Sequence, residues 1–164
     1  NPVEQINRGR DTGSRSDAEQ LLSAIDRYNA FAGFYPWQTN PNDPTTVALS
    51  VLDAPDVLDD GGTPLCNVSD KLSDGGSTVG CTGSDELKIT FFTRIFEPNY
   101  NHLMIYNSGT PGASTYICFA PKSKAFIDEA NRRCGVAAAG LPADMAAISV
   151  QVCGDVDAPL ICLP

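Results

Sequence analysis

The stretch D-A-E-Q-L-L-S-A-I-D-R-Y-N-A-F-A-G at positions 17–33 decides the fold of this chain. Its apolar residues recur at steps of three and four with polar side chains between them, which is the spacing of an amphipathic helix with one buried face. Gly33 is typical of a helix C-terminus, and Pro36 prevents a much longer helix. The residues predicted to pack this helix on the rest of the protein are Ala18, Leu21, Leu22, Ile25 and Tyr28.

The same helix is predicted to begin at the first residues of the chain. Asn1 suits an N-cap, Pro2 suits the first turn, and Glu4 lies at the positive end of the helix dipole. Gly9 and Gly13 weaken the helix between its first turns and the amphipathic stretch at 17–33, because each costs roughly 1 kcal/mol relative to alanine. We therefore predict one helix over 1–32 whose first half needs support from outside the helix.

A variable loop is predicted over 33–86, because proline, glycine, aspartate and serine are frequent there. Within it, Thr46–Leu52 suits either a short strand or a helical turn. Alternating apolar residues over 87–96, followed by strands at His102–Asn107 and Ser114–Ala120, predict an antiparallel β-meander over 87–120.

The remaining part, 121–164, is predicted to hold a short helix at Ser123–Arg133, a final strand at Ala147–Cys153 and a cysteine-rich tail. The chain is then a single α+β domain over 1–164. Its long N-terminal amphipathic helix packs on an antiparallel sheet of about four strands, since such a sheet needs a cover for its apolar face.

Charge and hydropathy exclude some classes of protein. The 164 residues carry 11 Lys and Arg against 20 Asp and Glu, a formal net charge of -9. Such a field repels polyanions, so no nucleic-acid partner is expected. The longest apolar stretch, 136–141, is far too short to cross a bilayer, and the first residues lack a signal-peptide pattern.

The six cysteines form no C-x-x-C pair, which favours disulfides over a metal or redox motif. Disulfides indicate an oxidising compartment. Sequence leaves the pairing open, although short loops favour neighbours: Cys66 with Cys81, Cys118 with Cys134, and Cys153 with Cys162.

Catalysis is not expected. His102 is the only histidine, and the sequence has no motif of a catalytic nucleophile, such as G-x-S-x-G, for it to activate. The acid pairs at 59–60 and 85–86 occur in turn sequence, where exposed carboxylates are common. No cofactor is therefore predicted apart from calcium, whose oxygen ligands could come from loop acids without an EF-hand pattern. The calcium candidates are Asp53, Asp56, Asp59, Asp60, Asp70, Asp74 and Asp85.

The first 36 residues carry a family resemblance. The motifs are N-P-V-E-Q-I at 1–6, R-G-R-D at 8–11, R-S-D-A-E-Q-L-L at 15–22, I-D-R-Y at 25–28 and G-F-Y-P at 33–36. In order and spacing this segment resembles the N-terminal helix of bacterial type IV pilins, and equally that of the major pseudopilin of type II secretion. Later residues resemble the family in layout only.

The match departs from the family at three positions. Gly9 stands where lysine or alanine is usual, Gly13 lies in mid-helix, and Ala18 replaces a common leucine. These departures weaken the helix locally but leave the order of the motifs intact.

The resemblance implies a filament subunit on the bacterial surface. Family members begin with an apolar helix half, released from a leader by a prepilin peptidase, that anchors the subunit in the membrane and later forms the filament core. That segment would precede Asn1. The implied partners are further copies in a helical homopolymer, other pilins and the pilus assembly machinery. The stretch implied to face neighbouring subunits includes Val3, Ile6, Arg8, Arg10, Asp11 and Arg15; the alternative for its charged members is a solvated helix face.

A structural subunit of an extracellular type IV pilus is the function predicted first. The long 33–86 loop and the disulfides favour it over a pseudopilin, which bound calcium would favour instead. A secreted, disulfide-bonded binding domain or enzyme is the other alternative. Adhesion, motility and DNA uptake are not separated by the sequence.

Overall fold

The structure is a computed structural model that describes residues 1–43, 47–52, 56–58, 65–74, 78–155 and 159–164. It is an α+β structure with a long N-terminal helix, a four-stranded antiparallel sheet and three disulfides. The predicted fold class is confirmed at this level. Asp53, Asp59 and Asp60 lie outside the described residues.

Helix α1 spans Pro2–Ala32 without interruption. The Asn1 side chain accepts a hydrogen bond from the main-chain N–H of Val3 at 3.0 Å, which satisfies one of the free donors of the first turn. At the other end Gly33 takes the left-handed conformation, with φ of 81°, and its N–H bonds to the carbonyl of Asn29. Both predicted ends are confirmed.

The other elements follow in chain order. They are β1 (Val47–Val51), β2 (Asp56–Leu58), β3 (Leu65–Asn67), α2 (Val68–Leu72), α3 (Ile89–Ile95), β4 (Met104–Asn107), β5 (Thr115–Phe119), α4 (Lys124–Cys134), two 3₁₀ segments (Val136–Ala138 and Ala143–Ile148), α5 (Ser149–Cys153) and β6 (Ile161–Leu163). The predicted short helix corresponds to α4, and the region left as strand or helical turn forms strand β1.

The main sheet has the order β1-β4-β5-β6, with every pair antiparallel, and β2 and β3 form a separate pair. Helix α1 packs mainly on β5. All five predicted core residues of α1 belong to this packing: Ala18, Leu21, Ile25 and Tyr28 are buried, and Leu22 is partly buried against them.

The strand predicted over 87–96 is wrong, because this segment contains helix α3. Phe91, Phe92 and Ile95 are buried together, at steps of one and four that place them on one helix face. A carboxylate oxygen of Asp74 accepts the main-chain N–H of Ile89 at 2.8 Å and satisfies the first turn of the helix. The predicted meander therefore contributes only β4 and β5, and β1 and β6 complete the sheet.

The strand predicted at Ala147–Cys153 is also wrong. A 3₁₀ segment and α5 occupy this region, where Met145, Ile148 and Val152 are buried at steps of three and four. The last strand is β6 (Ile161–Leu163), which begins after the predicted strand ends and lies beside β5.

One of the three predicted disulfides is confirmed, and two are corrected. Cys66 pairs with Cys81 as predicted. Cys118 pairs with Cys162, because the two residues lie opposite each other in β5 and β6. Cys134 pairs with Cys153, which joins the C-terminal ends of α4 and α5.

The three disulfides indicate an extracellular or otherwise oxidising environment. In the part of the chain that the structure describes, no helix has the length and apolar character needed to cross a membrane.

Candidate assembly surface

The first half of α1 uses its acidic side chains to hold the start of helix α4. Asp11 is fully buried, and its carboxylate accepts hydrogen bonds from the main-chain N–H groups of Lys122 and Ser123 and from the Ser123 hydroxyl, at 2.7 to 3.1 Å. About two turns earlier, Glu4 accepts the N–H of Lys124 at 2.9 Å. These N–H groups are the free donors of a helix N-terminus, where a negative charge is favoured.

Ser123 is at the N-cap position of α4, but its side chain does not cap the helix. The hydroxyl donates to Asp11 instead, and Asp11 takes the capping role from another helix. This contact joins residues that are 112 positions apart in the chain. It therefore supports the half of α1 that the two mid-helix glycines weaken.

Arg15 binds α4 one turn further along α1. Its guanidinium donates to a carboxylate oxygen of Glu129 at 2.6 Å and lies 4.5 Å from the centre of the Phe126 ring. Burial acts to raise the pKa of Glu129, but the hydrogen bond and charge of Arg15, together with Arg133, outweigh it, and the pKa is lowered.

These contacts divide the charged residues that the resemblance assigns to subunit packing. Asp11 and Arg15 are engaged within their own chain, which corrects their assignment to contacts between subunits. Arg8 and Arg10 are exposed. The exposed members of the predicted set are thus the two arginines and the two apolar residues discussed next.

Two exposed apolar residues lie close together in the first two turns of α1. Val3 is 62% exposed and Ile6 is 56% exposed, although both are of types usually buried. Gly9 and Gly13 continue this surface, and a methyl group added at either glycine would meet nothing within 4 Å. We call the surface formed by Val3, Ile6, Gly9 and Arg10 the α1 outer surface. Arg8 lies on another face of the helix, near Glu4 and Lys124.

A buried acid at Asp17 was not among the predicted site residues. Arg94 of α3 donates from both terminal nitrogens to its two carboxylate oxygens, at 2.6 and 2.8 Å, and the hydroxyl of Tyr100 donates to the same carboxylate. The bond to Asp17 raises the pKa of Arg94; burial, and then Asp17, raise the pKa of Tyr100. The sequence did contain a signal, because Asp17 lies on the buried face of α1, where a carboxylate needs a partner.

The described calcium candidates do not form a ligand cluster. Asp70 is buried and accepts main-chain N–H groups of Asn67 and Thr78. Asp74 binds the start of α3 and the Lys88 ammonium group, and the bond from Ile89 lowers its pKa. Among the described residues, no group of three or more His, Cys, Asp or Glu side chains could hold a metal ion.

The remaining sequence candidates are likewise separate. Asp85 is exposed in the left-handed conformation, with φ of 58°. Asp56 lies in β2. His102 is exposed just before β4.

No family model matches this sequence, and neither the curated proteins nor the solved structures give a match to it. The resemblance of residues 1–36 to pilins therefore stays a prediction, and the functional argument rests on the sequence pattern and the geometry described above.

Proposed function

We propose that this chain is a structural subunit of a type IV pilus, a protein filament on the bacterial surface. The observation that carries the proposal is the division of α1 into two halves. The second half is the spine of the α+β head, with Leu21 and Ile25 fully buried against the sheet. The first half carries the α1 outer surface, whose apolar side chains, Val3 and Ile6, are more than half exposed in the isolated chain.

Length and position support this proposal. The 31 residues of α1 make a rod of about 46 Å at 1.5 Å per residue. In a helical polymer such rods pack side by side in the interior, while the sheet and the disulfide-linked loops face outward. Val3 and Ile6 are then buried between subunits, which removes apolar surface from water at both residues.

The chemistry of the head is consistent with an exposed filament. Three disulfides close loops of 15, 19 and 44 residues, and each restricts the unfolded chain and stabilises the fold. A surface filament outside the cell lacks chaperones to refold its subunits, so such cross-links preserve it. The resemblance of residues 1–36 to pilins supports the choice of family, and the exposed apolar residues at the start of α1 support a role for this surface in assembly.

The test is performed on cells that produce the full precursor. Surface filaments are sheared off, labelled with antibody raised against residues 1–164 and analysed by electron microscopy and mass spectrometry. The proposal expects labelled filaments built from this chain, and a precursor with a basic leader and an apolar segment before Asn1. Unlabelled filaments together with a conventional signal peptide cut next to Asn1 would contradict it.

A pair of variants tests the α1 outer surface itself. Ile6→Asp places a charge where the proposal buries an apolar side chain, so filaments should be lost while the isolated domain keeps its melting temperature. Val136→Asp is the control, because Val136 is 88% exposed on a turn far from α1 in sequence. Filaments that tolerate Ile6→Asp as well as Val136→Asp would remove the α1 outer surface from the assembly.

A further inference from the structure

A cavity of about 310 Å³ lies where α1 meets the segment between α3 and β4. Three cationic side chains line it: Arg10 from α1, Arg94 from α3 and Lys122 from the segment before α4. Glu97 is the one acid in its lining. The chain as a whole has almost twice as many acids as bases, 20 against 11. The cavity is therefore a locally positive region of a molecule whose net charge is negative.

Two of the three cations make no ion pair among the residues that the structure describes. Every ion pair given above involves other lysines and arginines, and neither Arg10 nor Lys122 makes an ion pair with any residue in the described part of the chain. The two side chains are therefore free to bind an anion from outside the chain.

The third cation is held in a fixed position. Arg94 donates one N–H from each terminal nitrogen to the buried Asp17. This pair of bonds neutralises the Asp17 carboxylate and orients the guanidinium plane. A guanidinium has five N–H donors, so donors remain for a second acceptor. Tyr100, which also donates to Asp17, lines the same cavity and keeps its proton because its pKa is raised by burial.

The rest of the lining also offers donors. Asn101 lies at the cavity and is anchored by one amide hydrogen on the carbonyl of Ala120, at 2.6 Å, which leaves the second hydrogen. Asn99 adds another side-chain amide. The main chain of Lys122 is fixed by its N–H bond to Asp11, so its ammonium group extends from a rigid point.

We propose that this cavity binds the oxyanion group of a ligand, a carboxylate or a phosphate, between Arg10 and Lys122, with Arg94 and Asn101 as additional donors. Oxyanions accept several charge-assisted hydrogen bonds at once, and this is the arrangement the lining provides. Two sources supply the same chemistry: a free small anion, or an acidic side chain of a second copy of this chain.

If the ligand is an acidic side chain of a second copy, the cavity takes part in the proposed filament assembly, because Arg10 also belongs to the α1 outer surface. An acidic residue from a neighbouring copy would then enter the cavity when subunits pack. This part of the inference rests on the proposed function; binding of a free anion does not.

The first arm of the test titrates inorganic phosphate into the disulfide-bonded domain at constant ionic strength and follows backbone amides by NMR. Saturable shifts are expected at Arg10, Asn101 and Lys122. The variant Arg10→Gln/Lys122→Gln should weaken binding by about tenfold or more, since two charge-assisted contacts are lost. Arg8→Gln/Arg132→Gln is the matched control, because it removes the same charge from two exposed arginines outside the cavity.

The second arm measures self-association of the domain by analytical ultracentrifugation as salt is varied. An acidic side chain as the occupant predicts association that weakens with salt and is lost in Arg10→Gln/Lys122→Gln but kept in the control. Equal behaviour of both double variants in both arms overturns the oxyanion site. That result leaves the filament proposal untouched, since labelled filaments and the precursor sequence test it separately.

Both double variants are expected to fold, because the replaced side chains are exposed and make no ion pair with a described residue. The contact of Lys122 with Asp11 uses the main-chain N–H, which glutamine retains. Unchanged circular dichroism and an unchanged melting temperature check this. A variant that fails to fold is replaced by Lys122→Gln alone, for which the same loss of binding is expected in reduced measure.

Discussion

Removal of the Asp11 carboxylate should destabilise the domain without touching any exposed surface. Asp11→Ala leaves the N–H groups of Lys122 and Ser123 and the Ser123 hydroxyl without their acceptor. A hydrogen bond to a charged acceptor contributes about 1.5–3 kcal/mol net, and the cost of burying the carboxylate offsets part of the sum. We expect a loss of about 3 kcal/mol, which corresponds to a fall in melting temperature of about 6–12 °C for a chain of this size.

The assay is urea unfolding followed by circular dichroism, with the disulfides intact, on Asp11→Ala and on Asp26→Ala as the matched control. Asp26 lies on the same helix and is exposed, so its replacement should change stability by no more than about 0.5 kcal/mol. Asp11→Asn keeps one acceptor oxygen and should fall between the two. Hydrogen exchange should quicken at Lys122 and Ser123 in Asp11→Ala.

A loss of stability in Asp11→Ala no larger than in Asp26→Ala would refute this reasoning. The Asp11 carboxylate would then not hold the start of α4, and it would again be available for the contact between subunits that the family resemblance implies.

Three further predictions concern α4, the disulfides and the mid-helix glycines. Glu129→Gln should lower the free energy of unfolding by about 1 kcal/mol at pH 7. Because the native pKa of Glu129 is lowered, its carboxylate stabilises the fold above the ordinary pKa of 4.5, and this stabilisation is lost as the pH falls through the lowered pKa. An equal loss of stability in the variant at neutral and at strongly acidic pH would contradict this prediction. Peptide mapping should recover the Cys118–Cys162 pair, and recovery of a Cys118–Cys134 peptide would refute this pairing. Replacing Cys118 and Cys162 by alanine should cost about 4 kcal/mol, against about 3 kcal/mol for Cys66 and Cys81, because the Cys118–Cys162 disulfide closes the longer loop. Gly9→Ala/Gly13→Ala should add about 1–2 kcal/mol, since both sites are helical and open, and a less stable double variant in the same urea assay would show that something contacts the glycines.

The features that sequence predicted correctly are those decided by neighbouring residues. The Asn1 cap, the Gly33 stop and the buried stripe of α1 each depend on contacts within a few positions or on a single period, and the structure has all three. The same holds for α4, which begins and ends within one residue of its predicted bounds.

The features that it missed depend on residues far apart in the chain. Over 87–96 the apolar residues satisfy a period of two as well as a helical spacing, and the bond from Ile89 to Asp74, 15 positions earlier, accompanies the helix. The pairing of Cys118 with Cys162 follows from the register of β5 and β6, which no local spacing reveals. Local pattern alone could not choose correctly in either case.

For the same reason, the sequence could not predict which charged residues of α1 stay exposed. Arg8, Arg10, Asp11 and Arg15 lie close together in the sequence. The family resemblance implies that all four face neighbouring subunits, with a solvated helix face as the alternative. The fold separates them, because Asp11 meets the free N–H groups before α4 and Arg15 meets Glu129. Which charge stays exposed was therefore determined by α4, more than 100 residues away.

This separation leaves the exposed charges in the first half of α1 positive, opposite in sign to the net charge of the whole chain. The acids of its buried face, Glu4, Asp11 and Asp17, are all bonded to the head, whereas Arg8 and Arg10 remain exposed. Two copies that carry -9 each repel at long range, so close packing is favoured where an exposed arginine of one copy meets an acid of the next. An assembly built through the α1 outer surface should therefore gain its apolar contact at any salt concentration and lose its charge pairing as salt rises, because only the second contribution is screened.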